Sequence, residues 1–382
     1  MTRVAIRPEM LRWACDRARV DTRDLAVRIP QLPAWENGEK QPTLKQLEGF
    51  AKATHTPIGY LLLKEPIDEP VPIPDFRTVA DARMRRPSPD LLDTVYLCQQ
   101  RQDWYRDYAR SEGEDKLSFV GSAKLSDDVL KTAAVVRNAL GFDLAARGAM
   151  PTWTEALRGF IAEADATGIL VMVSGVVGSN NKRKLDPEEF RGFALADDLA
   201  PLVFINGSDT KAAQMFTLAH ELAHIWLGES ALSNAQASEA PRQAVERWCN
   251  QFAAELLVPL DVFREDYNRR AALRGELDRL AKRFKVSTLV ILRRMHDAGG
   301  LRGDAYWDAY KREVRHLREI SKSGGGGNFY LTMGARLSRR FARALVASTL
   351  EGHTLYRDAF RMLGIRKDAT FRQLGASLGY PT

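Results

Sequence analysis

The sequence has few cysteines and no long apolar run. Its three cysteines, Cys15, Cys98 and Cys249, are widely spaced and odd in number, which argues against a disulfide framework. No charged segment leads into an apolar one at the N-terminus, and no apolar run is long enough to span a bilayer. We therefore expect a cytoplasmic protein that does not enter a membrane.

The sequence also lacks a strong excess of one charge. Its net charge of +7 is modestly basic, which is compatible with nucleic acid or an acidic partner but is also common in soluble proteins. With 45% hydrophobic residues, a chain of 382 residues can form two or three domains and bury at least one sizeable core.

The most informative stretch is His220-Glu221-Leu222-Ala223-His224. Residues four apart lie on one face of a helix, so His220 and His224 can bind the same metal ion. Imidazole nitrogen suits Zn²⁺, and Glu221 can reach a water at the open position of the metal without being a ligand itself. This motif predicts a zinc hydrolase.

A catalytic zinc needs a third protein ligand, and the best candidate is Glu246. It follows His224 by 22 positions (246 − 224), which is enough for a helix, a turn and a returning helix. Asn250 lies four residues beyond Glu246 on the same helical stripe and could orient a histidine ring by a hydrogen bond. Cys249 and Glu255 are rival ligands. We expect Cys249 to be buried on the apolar face of this helix and Glu255 to be exposed.

These motifs and their surroundings resemble the ImmA/IrrE family of metallopeptidases. The resemblance rests on residues 216–224 and 246–259, with support from 190–193 and 201–206, and covers roughly 150–300. It implies a helix-rich zinc peptidase fold with a small β-sheet and the ligands His220, His224 and Glu246.

The same resemblance implies a catalytic role for Glu221. In this family, the glutamate takes a proton from the attacking water and passes it to the leaving amine. The chain also departs from the family pattern, since many copies of the second motif carry another acidic residue where Trp248 stands.

Residues 8–63 predict a small helical bundle, with Thr22 as the N-cap of its second helix. The segment around Trp35-Glu36-Asn37-Gly38 resembles the Xre-type helix-turn-helix domain. The chain before it is about one helical turn shorter than the family pattern, and it contains Pro30 and Pro33. A proline in a helix interior costs ~3 kcal/mol, so the recognition element is expected to be shortened or broken. Two interpretations stay open: a degenerate domain for dimerisation or partner binding, or a DNA-binding domain.

Six prolines lie between Lys64 and Asp90, which predicts an extended surface linker. After the linker, the apolar spacing predicts helices and then a short buried strand and a hairpin just before the His220 helix. An edge strand beside a metal can bind an extended substrate by main-chain pairing. The predicted elements are helices at 91–111, 126–140 (capped by Ser126) and 154–167, a strand at 168–173, and a hairpin formed by 190–196 and 201–206.

The C-terminal third contains further helical patterns. Residues 277–295 predict two helices joined at Ser287, a pattern that resembles a second helix-turn-helix but equally describes ordinary helix packing. Gly324–Gly327 is a flexible break. A helix within 329–350 carries a basic stripe that could contact DNA phosphates or an acidic protein, namely Arg336, Arg339, Arg340 and Arg343.

Together these patterns predict a mainly helical α+β protein with a zinc-peptidase core and small β-sheet, flanked by helical N- and C-terminal domains. The predicted divisions are a helix-turn-helix-like domain at 1–64, a linker at 65–90, the peptidase core at 91–300 and a helical domain at 301–382.

The predicted function is that of a zinc-dependent endopeptidase that cleaves or controls a specific protein partner in transcription control or in a mobile-element or stress system. The alternative is a non-proteolytic antitoxin or transcription regulator that binds a toxin or operator DNA, and either form could be a homodimer. An intact Glu221 favours the first, because a scaffold has no need of it.

Overall fold

A computed structural model describes residues 3–77, 86–233, 243–321 and 337–380. Two predicted features, the glycine run Gly324–Gly327 and Arg336, lie outside these residues. The chain divides into two compact units. The first comprises Met1–Pro72 and Val79–Val95, and the second comprises Ile73–Thr78 and Tyr96–Thr382.

The first unit is a helical bundle around a core that includes Met10, Leu25, Trp35 and Phe50. Its second helix begins one residue after Asp21, whose carboxylate accepts the Arg23 N–H, so Asp21 is the N-cap in place of the predicted Thr22. The helices of this unit are α1 (Pro8–Arg17), α2 (Thr22–Arg28), α3 (Leu32–Glu36), α4 (Leu44–Ala53) and α5 (Ile58–Leu61).

The two prolines in this bundle limit the helices around them. Helix α2 ends at Arg28, with Ile29 as its C-cap just before Pro30, and α3 contains only five residues with Pro33 in its first turn. The segment predicted to be shortened is therefore a single short helix. The helix-turn-helix identity of this unit stays a prediction.

The second unit is mainly helical and contains a small sheet, so the described chain is a mainly helical α+β protein. No helix in the described ranges is both long and apolar enough to cross a bilayer. The elements are α6 (Pro89–Ser111, in this unit from Tyr96), α7 (Val129–Leu140), α8 (Leu144–Ala149), α9 (Trp153–Ala166), β1 (Leu170–Ser174), β2 (Gly192–Leu195), β3 (Leu202–Asn206), α10 (Lys211–Leu227), β4 (Ala231–Ser233), α11 (Ala244–Leu257), α12 (Leu260–Asp266), α13 (Leu273–Phe284), α14 (Thr288–Asp297), α15 (Gly303–Ser321), α16 (Arg339–Leu350), α17 (Tyr356–Leu363) and α18 (Asp368–Ser377).

Most predicted elements of this unit lie within a few residues of the observed ones. Helix α7 differs because Asp128, rather than Ser126, is its N-cap, and the Asp128 carboxylate accepts the Lys131 N–H. It ends at Gly141 as predicted, where the backbone adopts the left-handed conformation that glycine allows. Ser287 caps α14 as predicted by accepting the Val290 N–H.

The sheet has the strand order β1-β3-β2-β4. Strands β2 and β3 pair antiparallel, which confirms the predicted hairpin, and β1 pairs parallel with β3. Strand β4 follows α10 and pairs antiparallel with β2, so β4 is an outer strand of this sheet. All residues of β2, β3 and β4 are buried.

The other edge of β4 is occupied by part of the predicted linker. Asp75 lies opposite Leu232 in parallel register. The Phe76 N–H donates to the Leu232 carbonyl at 2.9 Å, and the Leu232 N–H donates to the Pro74 carbonyl at 2.9 Å. Proline is tolerated at this position because it contributes only its carbonyl. Residues 74–76 of the predicted linker are therefore paired with the sheet.

Three arginine side chains bind the C-terminal end of α11. Arg294 donates to the Val258 carbonyl at 2.8 Å, and the side chains of Arg137 and Arg147 donate to the carbonyls just before it. The last carbonyls of a helix have no partner within it and attract positive charge, so these arginines stabilise the end of α11. The carbonyls involved are those of Glu255, Leu256, Leu257 and Val258.

This arrangement corrects the expectation that Glu255 is exposed. Its side chain is buried, and one carboxylate oxygen accepts from Arg294 Nη2 at 2.7 Å. The other oxygen accepts the Leu260 N–H at 3.3 Å. Arg294, which caps α11, places a positive charge in the interior. Glu255 provides the opposite charge that a buried guanidinium requires.

We expect that Arg294→Met lowers the free energy of unfolding by about 3–5 kcal/mol, because it leaves the buried Glu255 carboxylate without its ion pair. The double variant with Glu255→Gln should lose less than the sum of the two single losses. Chemical denaturation of the four proteins measures this coupling. Arg372→Met, in an exposed pair with Asp368, is the matched control and should change stability little. Strictly additive losses at positions 294 and 255 would contradict the assignment.

Candidate metal centre

Helix α10 presents both histidines of the motif from one face. Thr210 caps its start by accepting the Ala213 N–H, and Gly228 ends it in the left-handed conformation at φ 72°. Between these caps, His220, Glu221 and His224 are completely buried. The two imidazoles turn toward each other, and their Nε2 atoms are 3.3 Å apart.

Glu246 lies in the first turn of α11 and faces both rings. Its Oε1 is 3.1 Å from His224 Nε2, and its Oε2 is 3.3 Å from His220 Nε2. Two imidazole nitrogens and the two oxygens of one carboxylate, all able to ligate a metal, therefore converge from two helices. The structure brings together the two histidines and the carboxylate that the sequence indicated.

The spacing of these atoms fits a tetrahedral metal. Zinc binds nitrogen and oxygen ligands at about 2.0–2.2 Å, which places neighbouring ligands about 3.3 Å apart around a tetrahedron. The Nε2 atoms of His220 and His224 are separated by that distance. One oxygen of Glu246 lies 3.1 Å from His224 Nε2, and the other lies 3.3 Å from His220 Nε2. Two imidazoles and one carboxylate are also the donor set of one type of catalytic zinc site, which leaves one position for water.

Asn250 lies one turn after Glu246 and binds the far side of one ring. Its Oδ1 is 3.0 Å from His220 Nδ1. An amide oxygen only accepts, so Nδ1 carries the proton and donates it, which leaves the lone pair of His220 Nε2 directed at the cluster. This contact orients His220. Within the described part of the chain, Nδ1 of His224 has no hydrogen-bond partner.

Cys249 forms a second, looser donor set with the two histidines. The ligating atoms of His220, His224 and Cys249 lie within 4.8 Å of one another, which is a wider spread than that of the set containing Glu246. Burial, with a smaller effect of Glu246, raises the pKa of the Cys249 thiol well above its ordinary value. Since a thiol must lose its proton to bind zinc, we consider Glu246 the better third ligand.

The charges in the cluster follow from burial and mutual attraction. Burial raises the pKa of Glu246, but the two neighbouring rings outweigh it and hold the pKa below its ordinary value. Burial lowers the pKa of His224 below its ordinary value. For His220, burial also acts to lower the pKa, yet Glu246 outweighs this effect and raises it. An ionised Glu246 beside a neutral His224 suits metal binding.

The Glu221 side chain contacts β4. Its Oε1 accepts a hydrogen bond from the Ser233 hydroxyl, while its Oε2 has no hydrogen-bond partner among the described residues. Burial raises the pKa of Glu221 to about 8, against the opposing effects of His220 and Ser233. A carboxyl group with such a pKa can exchange a proton near neutral pH, as acid–base catalysis requires.

Gly192 in β2 leaves the space that Glu221 and its helix occupy. A Cβ atom at this position would lie 2.6 Å from Thr217 Cγ2, 2.8 Å from the Phe204 carbonyl oxygen and 3.0 Å from Glu221 Oε1. Real Cβ atoms do not approach other atoms this closely, so any larger residue would push β3 or α10 away. The glycine therefore permits the close packing of α10 on the sheet.

Sequence reasoning missed two residues at this centre. Ser233 lies nine positions after His224 (233 − 224) in a three-residue strand, and Phe76 lies in the proline-rich segment, where its ring centroid is 6.1 Å from that of His224. Neither residue belongs to a recognisable motif. Their contacts arise from strand pairing at β4, which no local pattern encodes.

The predicted basic stripe is only partly available for a partner. Arg339 and Arg343 are exposed, but Arg340 donates to Glu114 at 2.7 Å and to the Tyr105 hydroxyl at 2.5 Å. The charge of Arg340 is therefore already paired within the chain. A role of this stripe in DNA binding stays a prediction.

Comparisons with known proteins match two parts of the chain. Residues 164–296 match a family model described as the IrrE N-terminal-like domain, and 337–377 match a domain family of unknown function. Over 91 residues, the chain is 37% identical to the radiation response metalloprotease IrrE of Deinococcus radiodurans, covering 22% of this chain and 28% of that protein. These matches support the resemblance to the ImmA/IrrE family for the central part of the chain.

We expect the purified protein to bind about one zinc ion, and His220→Ala and Glu246→Gln to lose most of it. Cys249→Ala should keep the metal, since its sulfur is not part of the expected ligand set of His220, His224 and Glu246. The exposed His296→Ala is the matched control for removal of an imidazole. Metal content measured by mass spectrometry tests all four variants. Zinc retained in His220→Ala, or lost in Cys249→Ala but not in Glu246→Gln, would refute this ligand set.

Gly192→Ala should lower the free energy of unfolding by about 1–3 kcal/mol, because the added methyl group overpacks the contact between β2 and α10. Gly275→Ala is the control, since its Cβ would meet no atom within 4 Å in helix α13 and should be neutral or stabilising. Thermal and chemical denaturation compare the two variants. Equal free energies of unfolding for Gly192→Ala and the wild type would show that the sheet can shift to accept the methyl group without a loss of stability.

Proposed function

We propose that this protein is a zinc-dependent peptide hydrolase that regulates a specific protein partner. The observation that carries the proposal is the convergence of His220, His224 and Glu246 beside a buried Glu221, in which the two Nε2 atoms and the two carboxylate oxygens form contacts of 3.1–3.3 Å. The similarity to a protein named as a radiation response metalloprotease supports the same chemistry.

The ligands His220, His224 and Glu246 would hold the metal, and Asn250 would keep the ring of His220 in its ligating orientation. A zinc ion bound there would lower the pKa of a water molecule toward ~7 and polarise the carbonyl group of a substrate. The chain itself would supply the proton transfers.

Glu221 is the group suited to those transfers. Its Oε2 is free of hydrogen bonds among the described residues, so this atom would take the proton of the attacking water and give it to the leaving amine. The Ser233 hydroxyl binds Oε1 and fixes the orientation of the carboxyl group. Ser233 is thus a positioning residue for Glu221.

The regulatory part of the proposal rests on the organisation of the chain. A separate N-terminal helical unit precedes the metal-site unit, and such a unit can bind a partner or bring one to the site. The matched segment spans 28% of the IrrE protein, so the substrate of this chain has to be established directly.

Glu221→Gln should keep zinc but abolish cleavage, because an amide cannot accept the proton of the attacking water. Peptide N-termini that appear in cells on expression of the wild type, but not of the zinc-loaded Glu221→Gln variant, would identify the substrate. Ser233→Ala should retain zinc and reduce turnover by about tenfold or more, with kcat affected more than KM.

Identical new N-termini from the wild type and Glu221→Gln would refute proteolysis at this site. If Glu221→Gln cleaves nothing and still regulates, the non-proteolytic regulator becomes the correct alternative. Zinc content measured on each preparation separates a loss of metal from a loss of chemistry.

A further inference from the structure

Residues 74–77 bind the outer edge of the sheet immediately beside the metal-ligand cluster. The edge of a sheet carries unpaired N–H and C=O groups and accepts an extended peptide as an added strand. At Leu232, both of these groups are already paired with the chain itself, through the Pro74 carbonyl and the Phe76 N–H at 2.9 Å each. The next residue of β4, Ser233, donates to Glu221.

The side chains of this segment also make contacts that a passive linker has no need of. The Phe76 ring packs beside the ring of His224, with centroids 6.1 Å apart. The Arg77 side chain is 1% exposed, and its Nη1 is 3.6 Å from a carboxylate oxygen of the buried Glu189. Asp75 binds the other side of the same guanidinium at 2.6 Å.

The burial of Arg77 indicates a recognition pocket. A guanidinium is costly to remove from water unless opposite charges compensate for it, and Glu189 provides such a charge inside the protein. The fit is incomplete, because Nη1 of Arg77 makes no hydrogen bond within the described chain. Glu189 could pair in the same way with a basic side chain of another peptide.

We propose that the edge of β4 and Glu189 form the peptide-binding groove of the metal site, and that residues 74–77 occupy it in the resting protein. This inference rests on the proposed function, since it assigns the substrate contacts of that same site. The substrate is then an extended peptide with an aromatic residue followed by arginine, and it binds only when residues 74–77 leave.

The proposed groove would contact a bound peptide in three ways. Main-chain pairing at Leu232 provides affinity for any extended peptide, the surface beside His224 takes an aromatic ring, and Glu189 selects a basic side chain. The same contacts keep the protein from acting on unrelated peptides, because a competitor has to replace all three.

The test is peptide binding by the zinc-loaded Glu221→Gln protein, which cannot consume its ligand. The probe is a fluorescein-labelled peptide with the sequence Ile-Pro-Asp-Phe-Arg of residues 73–77, and the readout is fluorescence anisotropy. Adding Phe76→Ala and Arg77→Ala removes the two side-chain contacts that hold residues 74–77 in the groove. Peptide binding should then tighten by about tenfold or more, which is about 1.4 kcal/mol or more.

Two controls make the test specific. Arg86→Ala removes an exposed arginine from the same predicted linker and should leave binding unchanged. In the variant with Phe76→Ala and Arg77→Ala, a peptide with alanine in place of arginine should bind about tenfold more weakly. Adding Glu189→Gln should remove this preference for arginine. Arg77→Ala alone is a milder variant, which should show a smaller gain in affinity if the double variant does not fold.

The outcomes separate the two proposals. Equal binding with and without residues Phe76 and Arg77, or no binding by either protein while zinc is retained, overturns the occupied groove and leaves the metal site intact. An absence of zinc in the wild-type protein overturns the proposed function itself. A preference for arginine that persists in Glu189→Gln overturns the assignment of the pocket.

Discussion

The mutual pairing of buried polar groups between α10 and α11 is the constraint on which the central structure depends. Two imidazoles and a carboxylate lie deep in the protein, where an unpaired charge would be strongly unfavourable. Each of the three side chains is within 3.3 Å of the other two, so none is buried without a partner. These contacts favour the observed relative position of the two helices.

The two ends of α11 are fixed by opposite charges. At its start, Glu246 faces the histidines, and a carboxylate is favourable in the first turn of a helix. At its end, Arg137, Arg147 and Arg294 bind the terminal carbonyls. The helix that carries Glu246, the proposed third ligand, is thus anchored at both ends, which favours the rigidity that metal coordination needs.

The sequence predicted those parts of the site that depend on local spacing. His220 and His224 share a face because they are four residues apart on one helix, and the same spacing links Glu246 to Asn250. Local spacing did not predict the residues that meet through tertiary contacts. Glu255 was expected to be exposed from its place about two and a half turns beyond Glu246. It is buried instead, in an ion pair with an arginine 39 residues away in sequence. The roles of Ser233 and Phe76 depend on strand pairing at β4, which local spacing does not determine.

The segment that pairs with β4 is covalently continuous with the N-terminal unit, since Pro72 ends that unit and Ile73 begins the next. A tethered ligand acts at an effective concentration that is in the millimolar range for short flexible connections. A free peptide with equal contacts would therefore need a comparable concentration to displace residues 74–77. In the proposed groove, this covalent connection would set the threshold concentration for a substrate peptide.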